Sequence, residues 1–270
     1  MITRSDRLPA GRDVDLPNSA ISIRSRIGKT VPGRRVWSML FARIGLALLF
    51  QSLFALGFLI AGDETPWRAA ADWWLGSFAL AELVNLWLLA RLARDEGLRL
   101  RDLYSFSRDT RAGDFKWLAL ALVGAAPLGF LPNVLLTQAL WGDPELPAAL
   151  TFRPLPIAAA WVLLGVFPII HALTELPTYF GYVLPRLSAM TRPRMALVLT
   201  AAVLSFQHLF LPLLFDWKYL VWRALMFLPF ALWIGWIIHR RATVLPYLAI
   251  AHALLDVTLP IYVLQASMGA

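Results

Sequence analysis

Long apolar segments alternate along this chain with short segments that are polar and basic. Seven of the apolar segments approach or exceed the ~20 residues that an α-helix needs to cross the hydrocarbon layer of a membrane. We place the spans at residues 36–61, 69–90, 117–141, 156–184, 195–215, 219–238 and 243–265. The pattern predicts an all-α fold, a polytopic membrane helix bundle of about seven transmembrane helices that forms a single integral membrane domain, with 36–141 as its N-terminal transmembrane part.

The composition agrees with the hydropathy pattern. The chain has 270 residues, of which 59% are hydrophobic and 16% are charged, and its mean hydropathy is +0.63. These values exclude an ordinary soluble domain and favour the lipid bilayer as a partner. Cysteine is absent, which excludes disulfides, thiolate metal sites and cysteine nucleophiles. The net charge of +8 does not indicate a nucleic-acid partner, because the basic residues lie at the ends of apolar segments.

The basic residues also predict an orientation. Residues 1–35 hold eight Lys or Arg and residues 91–116 hold seven, whereas 62–68 and 142–155 hold one each. The positive-inside rule then places the N-terminus in the cytoplasm. Residues 1–35 have few large apolar side chains, so we expect a disordered basic cytoplasmic tail. A compact chain with such a tail suits the plasma membrane of a prokaryotic cell.

Two charged residues lie inside the first two spans. Arg43 and Glu82 are each about eight residues from the cytoplasmic end of their span, which places both roughly 12 Å deep. A structural ion pair between them is expected, because each charge then neutralises the other. Two alternatives remain open, in which Arg43 extends to the interface or takes part in catalysis.

Three further spans carry ionisable side chains. The residues are His171 and Glu175 in the fourth span, His208 in the fifth, and His252 and Asp256 in the seventh. A charged side chain at bilayer depth costs at least ~2–3 kcal/mol on insertion scales, so such residues indicate function. Both pairs are spaced i, i+4, which puts their members on one helix face.

The same groups lie at similar depths. Glu175, His208 and His252 are about ten, thirteen and nine residues from the cytoplasmic ends of their spans, or roughly 15, 20 and 14 Å. We therefore expect them to surround a shared polar pocket. Pro177 follows Glu175 closely and predicts a helix kink there.

These residues resemble the motifs of a known family. The segment Gly181-Tyr-Val-Leu-Pro-Arg-Leu187 is preceded by Glu175, then a histidine follows in the fifth span and a His-x-x-x-Asp in the last. The order and spacing are similar to those of the CPBP (Abi) family, the CAAX prenyl endopeptidase-like and bacteriocin-processing intramembrane proteases. The resemblance covers roughly 155–260 and implies that 155–265 form a CPBP-like catalytic helix bundle.

The resemblance implies an activity and residue roles. It implies an intramembrane endopeptidase of the glutamic type that needs no cofactor and acts on a peptide or membrane-protein substrate. Glu175 and His208 would activate the water that attacks the peptide carbonyl, and His252 with Asp256 would stabilise the oxyanion. His171 and Tyr179 are candidate accessory residues.

The chain departs from the family pattern at several positions. With Gly181 aligned, the second glutamate of the first motif falls on Leu176 and its arginine falls on Phe180. The aromatic residue of the second motif falls on Leu204, and Asp256 replaces the usual terminal amide. An ionised carboxylate beside an oxyanion would repel it, so Asp256 would have to be protonated or hold the tautomer of His252.

Other functions remain open at this point. A metal-dependent version of the protease would hold Zn²⁺ at His171, Glu175, His208 and His252. The missing glutamate and arginine fit a catalytically inactive relative that binds peptides or a partner membrane protein, for example in bacteriocin immunity. A transporter would also place ionisable residues at the midplane, although the sequence shows no inverted repeat.

Overall fold

The structure is a computed structural model and describes residues 16–27, 31–104 and 110–269. It is 83% helical, and no β-strand occurs in these ranges, which confirms the all-α prediction. Seven helical segments of the described chain are long and apolar enough to cross a membrane, so the predicted number of spans is also confirmed. The segments are Gly33–Ile60, Trp74–Asp95, Arg111–Trp141, Ile157–Met190, Pro193–Phe210, Trp217–Arg240 and Ala242–Gly269.

The spans are built from α-helices with several interruptions. The α-helices of the described chain are α1 Ala20–Arg24, α2 Gly33–Ile60, α3 Pro66–Asp72, α4 Trp74–Asp95, α5 Arg111–Trp141, α6 Leu146–Thr151, α7 Ile157–Leu176, α8 Leu184–Met190, α9 Pro193–Gln207, α10 Trp217–Leu225, α11 Leu228–Arg240, α12 Leu245–Asp256 and α13 Thr258–Gly269. Residues Pro177–Val183 form a π-helical segment that joins α7 to α8. The kink predicted beside Glu175 therefore takes the form of a π segment that begins at Pro177, a device often found at functional sites.

Helix α7 lies at the centre of the bundle. It packs against α4, α12 and α13, and the π segment that follows it packs against α2 and α9. Helices α2 and α4 pair with each other, as do α9 and α11, while α5 lies outside against α10 and α11. One apolar core contains residues from both 36–141 and 155–265, so the two parts pack together.

The outer surface of the bundle is apolar. Large side chains that are more than half exposed occur on several spans: Ile60 on α2, Val123 and Leu135 on α5, Trp161 on α7 and Leu254 on α12. Acyl chains accept such a surface, whereas water would not. The protein is therefore an integral membrane protein.

Part of the predicted disordered tail is ordered. Within residues 16–27, α1 packs against α8, and the side chain of Ile23 is fully buried. Asn18 is buried as well, and its amide donates a hydrogen bond of 2.6 Å to the backbone carbonyl of Gly181. Ile23, the bonds of Asn18 and a bond of 3.1 Å from Arg26 to the backbone carbonyl of Glu96 attach this short segment to the bundle. Residues 1–15 and 28–30, for which disorder was also predicted, lie outside the described residues.

Gly181 allows a close approach of two chain segments. A Cβ atom at this position would lie 2.9 Å from the carbonyl oxygen of Leu103 and 3.1 Å from Cδ2 of Leu245. Any side chain would push the π segment away from the 3-10 turn Leu100–Tyr104 and from α12. Glycine is needed here for space, since the backbone carbonyl cannot move aside.

We predict that Gly181→Ala lowers the stability of the protein by about 1–3 kcal/mol, because the added methyl group overpacks this contact. Thermal unfolding in detergent measures the effect. Gly45→Ala is the matched control: its Cβ would meet nothing within 4 Å, and alanine favours a helix over glycine. Equal unfolding temperatures for the two variants would contradict the prediction.

The orientation of the bundle is open to a direct test. The natural chain lacks cysteine, so the single-cysteine variants Asp143→Cys and Arg99→Cys, at exposed positions in connections of opposite predicted sides, carry one thiol each. We expect a membrane-impermeant maleimide to label Asp143→Cys in intact cells and Arg99→Cys only after permeabilisation. The reverse pattern would place the N-terminus outside the cytoplasm.

Candidate active site

Polar groups from the second, fourth and fifth spans meet around the side chain of Arg43, which is buried inside the bundle. The guanidinium group donates to Glu82 Oε2 at 2.6 Å, so the predicted ion pair is present. It also donates to Glu175 Oε2 at 3.1 Å and to Gln207 Oε1 at 2.8 Å. A further bond of 3.1 Å reaches the hydroxyl of Thr174. Arg43 therefore joins the first two spans to the predicted site.

His171 is held firmly inside this cluster. Its Nδ1 atom lies 2.9 Å from Glu82 Oε1, and its Nε2 atom lies 3.4 Å from Glu175 Oε2. The imidazole ring stacks on Phe167, with ring centroids 5.2 Å apart and an interplanar angle of 14°. With Nδ1 hydrogen-bonded to a carboxylate, the Nε2 atom is the one presented to the rest of the site.

His252 and Asp256 on α12 meet the α7 residues as predicted. His252 Nε2 lies 3.6 Å from Glu175 Oε1 and 3.2 Å from Asp256 Oδ2. Asp256 Oδ2 is also 3.9 Å from His171 Nε2. Two buried atoms of this pair, His252 Nδ1 and Asp256 Oδ2, have no hydrogen-bond partner. Unpaired buried polar atoms are rare in proteins, and they require an explanation.

Among the described contacts, His208 makes no hydrogen bond or ion pair with Glu175, although the two groups lie close enough to interact electrostatically. That they share one pocket stays a prediction. The Nδ1 atom of His208 faces the carbonyl oxygens of Leu204 and Ser205, at 3.0 and 3.2 Å. Its ring packs on Phe227, with centroids 4.1 Å apart. Helix α9 ends at Gln207, and consecutive helix positions point about 100° apart, so only one of the two residues faces Glu175. That residue is Gln207.

Gln207 and Tyr179 orient the carboxylate. The amide nitrogen of Gln207 donates to Glu175 Oε2. Its oxygen accepts a bond of 2.8 Å from Arg43 and one of 3.0 Å from the hydroxyl of Tyr179, which is fully buried in the π segment. Because the amide oxygen of Gln207 already accepts from two donors, its amide nitrogen is the group that faces the carboxylate of Glu175. Tyr179 does not bond Glu175 itself and contacts it indirectly, through the amide of Gln207.

The cluster lies at membrane depth and reaches the surface beside α12. Arg43 and His252 are each ten residues inside spans that begin at Gly33 and Ala242, or roughly 15 Å along the helix. The side chains of Arg43 and Glu82 are 0% and 1% exposed, whereas those of His252 and Asp256 are 13% and 10% exposed. The cluster is therefore least buried on its α12 side.

Arg43 and Glu82 add a guanidinium group and a second carboxylate to the surroundings of Glu175. Leu176 and Phe180 stand where the family pattern has glutamate and arginine, yet Glu82 and Arg43 bring a carboxylate and a guanidinium group to Glu175 from other helices. The sequence contained one indication that Arg43 and Glu82 could join the site, since their predicted depth in the membrane is close to that of Glu175. Thr174 and Gln207 were missed, because neither is ionisable.

Comparison with known proteins adds no further assignment. No family model matches the chain, and neither the curated proteins nor the solved structures give a significant match. The resemblance to the CPBP family therefore remains one of motif residues and their order.

Arg43 should dominate the stability of the bundle. We predict that Arg43→Met destabilises the protein by about 3–5 kcal/mol, because Glu82 and Glu175 then remain buried without a cation. Denaturant or thermal unfolding in detergent measures this. The double variant Arg43→Met/Glu82→Met should lose less than the sum of the two single variants.

The exposed ion pair of Arg35 and Asp95, at 3.1 Å, is the matched control. Arg35→Met should cost no more than about 1 kcal/mol, since both side chains are about one-third or more exposed. Two results would show that the buried arginine does not stabilise the cluster. One is a loss of stability in Arg43→Met/Glu82→Met that equals the sum of the two single losses. The other is an equal loss of stability in Arg43→Met and Arg35→Met.

Proposed function

We propose that the protein is an intramembrane endopeptidase that hydrolyses a peptide bond with a water molecule activated at Glu175. The observation that carries the proposal is the convergence of Glu175, His171, His252 and Asp256 in one cluster at membrane depth. Buried ionisable groups of a membrane helix bundle belong by default to substrate, ion or proton chemistry. The motif order that resembles the CPBP family narrows this chemistry to proteolysis.

The geometry gives the reacting water a place. Glu175 Oε2 already accepts from Arg43 and Gln207, which leaves Oε1 for another partner. Oε1 lies 3.6 Å from His252 Nε2, and the reacting water would take a position about 2.8 Å from both atoms. Glu175 would accept a proton from this water as the oxygen attacks the peptide carbonyl. The proton would then pass to the amide nitrogen as the carbon–nitrogen bond breaks.

His252 and Asp256 would stabilise the intermediate together. Asp256 Oδ2 lies 3.2 Å from His252 Nε2 without forming a hydrogen bond, and its negative charge would favour the tautomer that carries the proton on that atom. This N–H is the donor nearest to Glu175 Oε1 on the α12 side and would stabilise the negative oxygen of the tetrahedral intermediate. His208 has no place in this scheme, and Gln207 takes the role of orienting Glu175.

The substrate class follows from the location of the site. The cluster lies within the spanning segments and is least buried beside α12, so a peptide or membrane protein would reach it through the membrane. With the N-terminus in the cytoplasm, cleavage would take place nearer the cytoplasmic face. The membrane in question would be the plasma membrane of a prokaryotic cell.

We expect Glu175→Gln to abolish cleavage, because the amide keeps the shape of the side chain and cannot accept the proton. Quantitative comparison of protein N-termini in membranes from wild-type, deletion and Glu175→Gln cells measures this. The expected result is a set of N-termini that is present in the wild type and absent from the other two.

Glu145→Gln is the control, since Glu145 is an exposed acid in the connection between the third and fourth spans. It should keep the wild-type set of N-termini. If Glu175→Gln is made in normal amounts and also keeps that set, the protein does not act as a glutamate-dependent protease. A cellular phenotype retained in Glu175→Gln would then favour a binding protein.

A further inference from the structure

We propose that the cluster is a zinc site in which His171 Nε2, His252 Nε2 and Asp256 Oδ2 bind the ion and Glu175 faces an open fourth position. The existence of the site depends only on the geometry of these residues. Its use in peptide hydrolysis rests on the proposed function, with the ion in place of the His252 Nε2–H group as the stabiliser of the negative oxygen, because a ligating Nε2 carries no proton. This set differs from the zinc site considered from sequence, because Asp256 replaces His208 and Glu175 is no longer a ligand.

The three ligand atoms are already close together. One donor atom from each of His171, His252 and Asp256 lies within 4.8 Å of the others. Asp256 Oδ2 is 3.2 Å from His252 Nε2 and 3.9 Å from His171 Nε2. Tetrahedral zinc with bonds of about 2.0–2.2 Å holds its ligand atoms about 3.3–3.6 Å apart. The observed spacing needs only small side-chain shifts to match.

An unpaired carboxylate oxygen points to the same place. Asp256 is only 8% exposed, and its Oδ2 atom has no hydrogen-bond partner, although it faces both imidazoles. Such an atom is costly to bury alone. A cation bound between Asp256 and the two imidazole nitrogens would supply the missing partner.

The surroundings have the form expected around a metal-binding histidine. His171 Nδ1 lies 2.9 Å from Glu82 Oε1, and Glu82 is held in turn by Arg43 at 2.6 Å. A carboxylate on the far nitrogen of a ligating histidine fixes its tautomer and raises its basicity. The stacked ring of Phe167 holds the imidazole plane in position.

The charges of the cluster balance when a divalent ion is present. Arg43 neutralises Glu82, which leaves Glu175 and Asp256 with two negative charges beside two neutral imidazoles. One Zn²⁺ ion brings the sum to zero, a large advantage in a medium of low dielectric constant. Protonation of both histidines would give the same balance, and the experiment separates these two states.

The donor set favours zinc over other divalent ions. Two imidazole nitrogens and one carboxylate oxygen, with a fourth position left for water, form a pattern of catalytic zinc sites. Magnesium and calcium prefer oxygen ligands throughout. Glu175 lies 3.4 and 3.6 Å from the two imidazole nitrogens and would contact a water in the fourth position. The ion would make that water more acidic, and Glu175 would accept its proton.

Metal analysis of the full-length protein, purified in detergent after growth with added zinc, tests the site. We expect about one zinc per chain in the wild type and less than a tenth of that in His252→Ala and Asp256→Asn. Glu82→Gln, which removes no ligand, should weaken zinc binding about 10–100-fold. Added Co²⁺ should give the visible absorption of a tetrahedral site in the wild type and not in His252→Ala or Asp256→Asn.

His208→Gln is the matched control, because His208 lies beside the cluster without contributing a ligand atom, and it should keep its zinc. Metal loss in this variant, with an elution profile and helix content like the wild type, would overturn the proposed ligand set. A folded wild type that binds neither Zn²⁺ nor Co²⁺ would overturn the site itself.

Two further outcomes separate the zinc site from the protease proposal. If zinc binds as expected but Glu175→Gln leaves the cellular N-termini unchanged, the zinc site stands and the protease proposal fails. If metal-free protein cleaves its substrate and chelators do not inhibit it, the protease proposal stands and the use of zinc in hydrolysis is overturned.

Discussion

The arrangement of the bundle depends on one constraint, the neutralisation of the guanidinium group of Arg43 inside a membrane. A cation that is buried in this way must have anionic partners, because neither lipid nor the apolar core can solvate it. Glu82 on α4 and Glu175 on α7 supply them, and Gln207 on α9 completes the shell. These contacts fix which helices can be neighbours of α2.

The same contacts prepare the chemistry of the site. Because Arg43 and Gln207 occupy one oxygen of Glu175, the other oxygen faces the imidazole of His252. Because Glu82 occupies one nitrogen of His171, the other nitrogen faces the same space. The structural ion pairs and the candidate site therefore belong to one hydrogen-bonded network. Arg43, Glu82 and Gln207 stabilise this network and also orient Glu175 and His171.

A second buried network holds the end of the central span. Arg186 on α8 makes a paired contact with Glu96 at 2.7–3.2 Å and also donates to Asn18 at 2.9 Å. Tyr182 in the π segment donates to the same carboxylate at 2.9 Å. The segment that follows Pro177 is thus attached to the end of α4 and to residues 16–27, which keeps the site residues of α7 in register.

Hydropathy alone determined the all-α fold and the seven spans, because the bilayer sets the length and polarity of any helix that crosses it. The i, i+4 spacing of His171 with Glu175 and of His252 with Asp256 determined that each pair shares a face, since helix geometry is local. Only the tertiary structure decided that Gln207, and not His208, faces Glu175, and that Arg43 and Glu82 join the site. Those outcomes depend on the rotation of each helix about its axis and on which helices are neighbours, and packing between distant segments sets both.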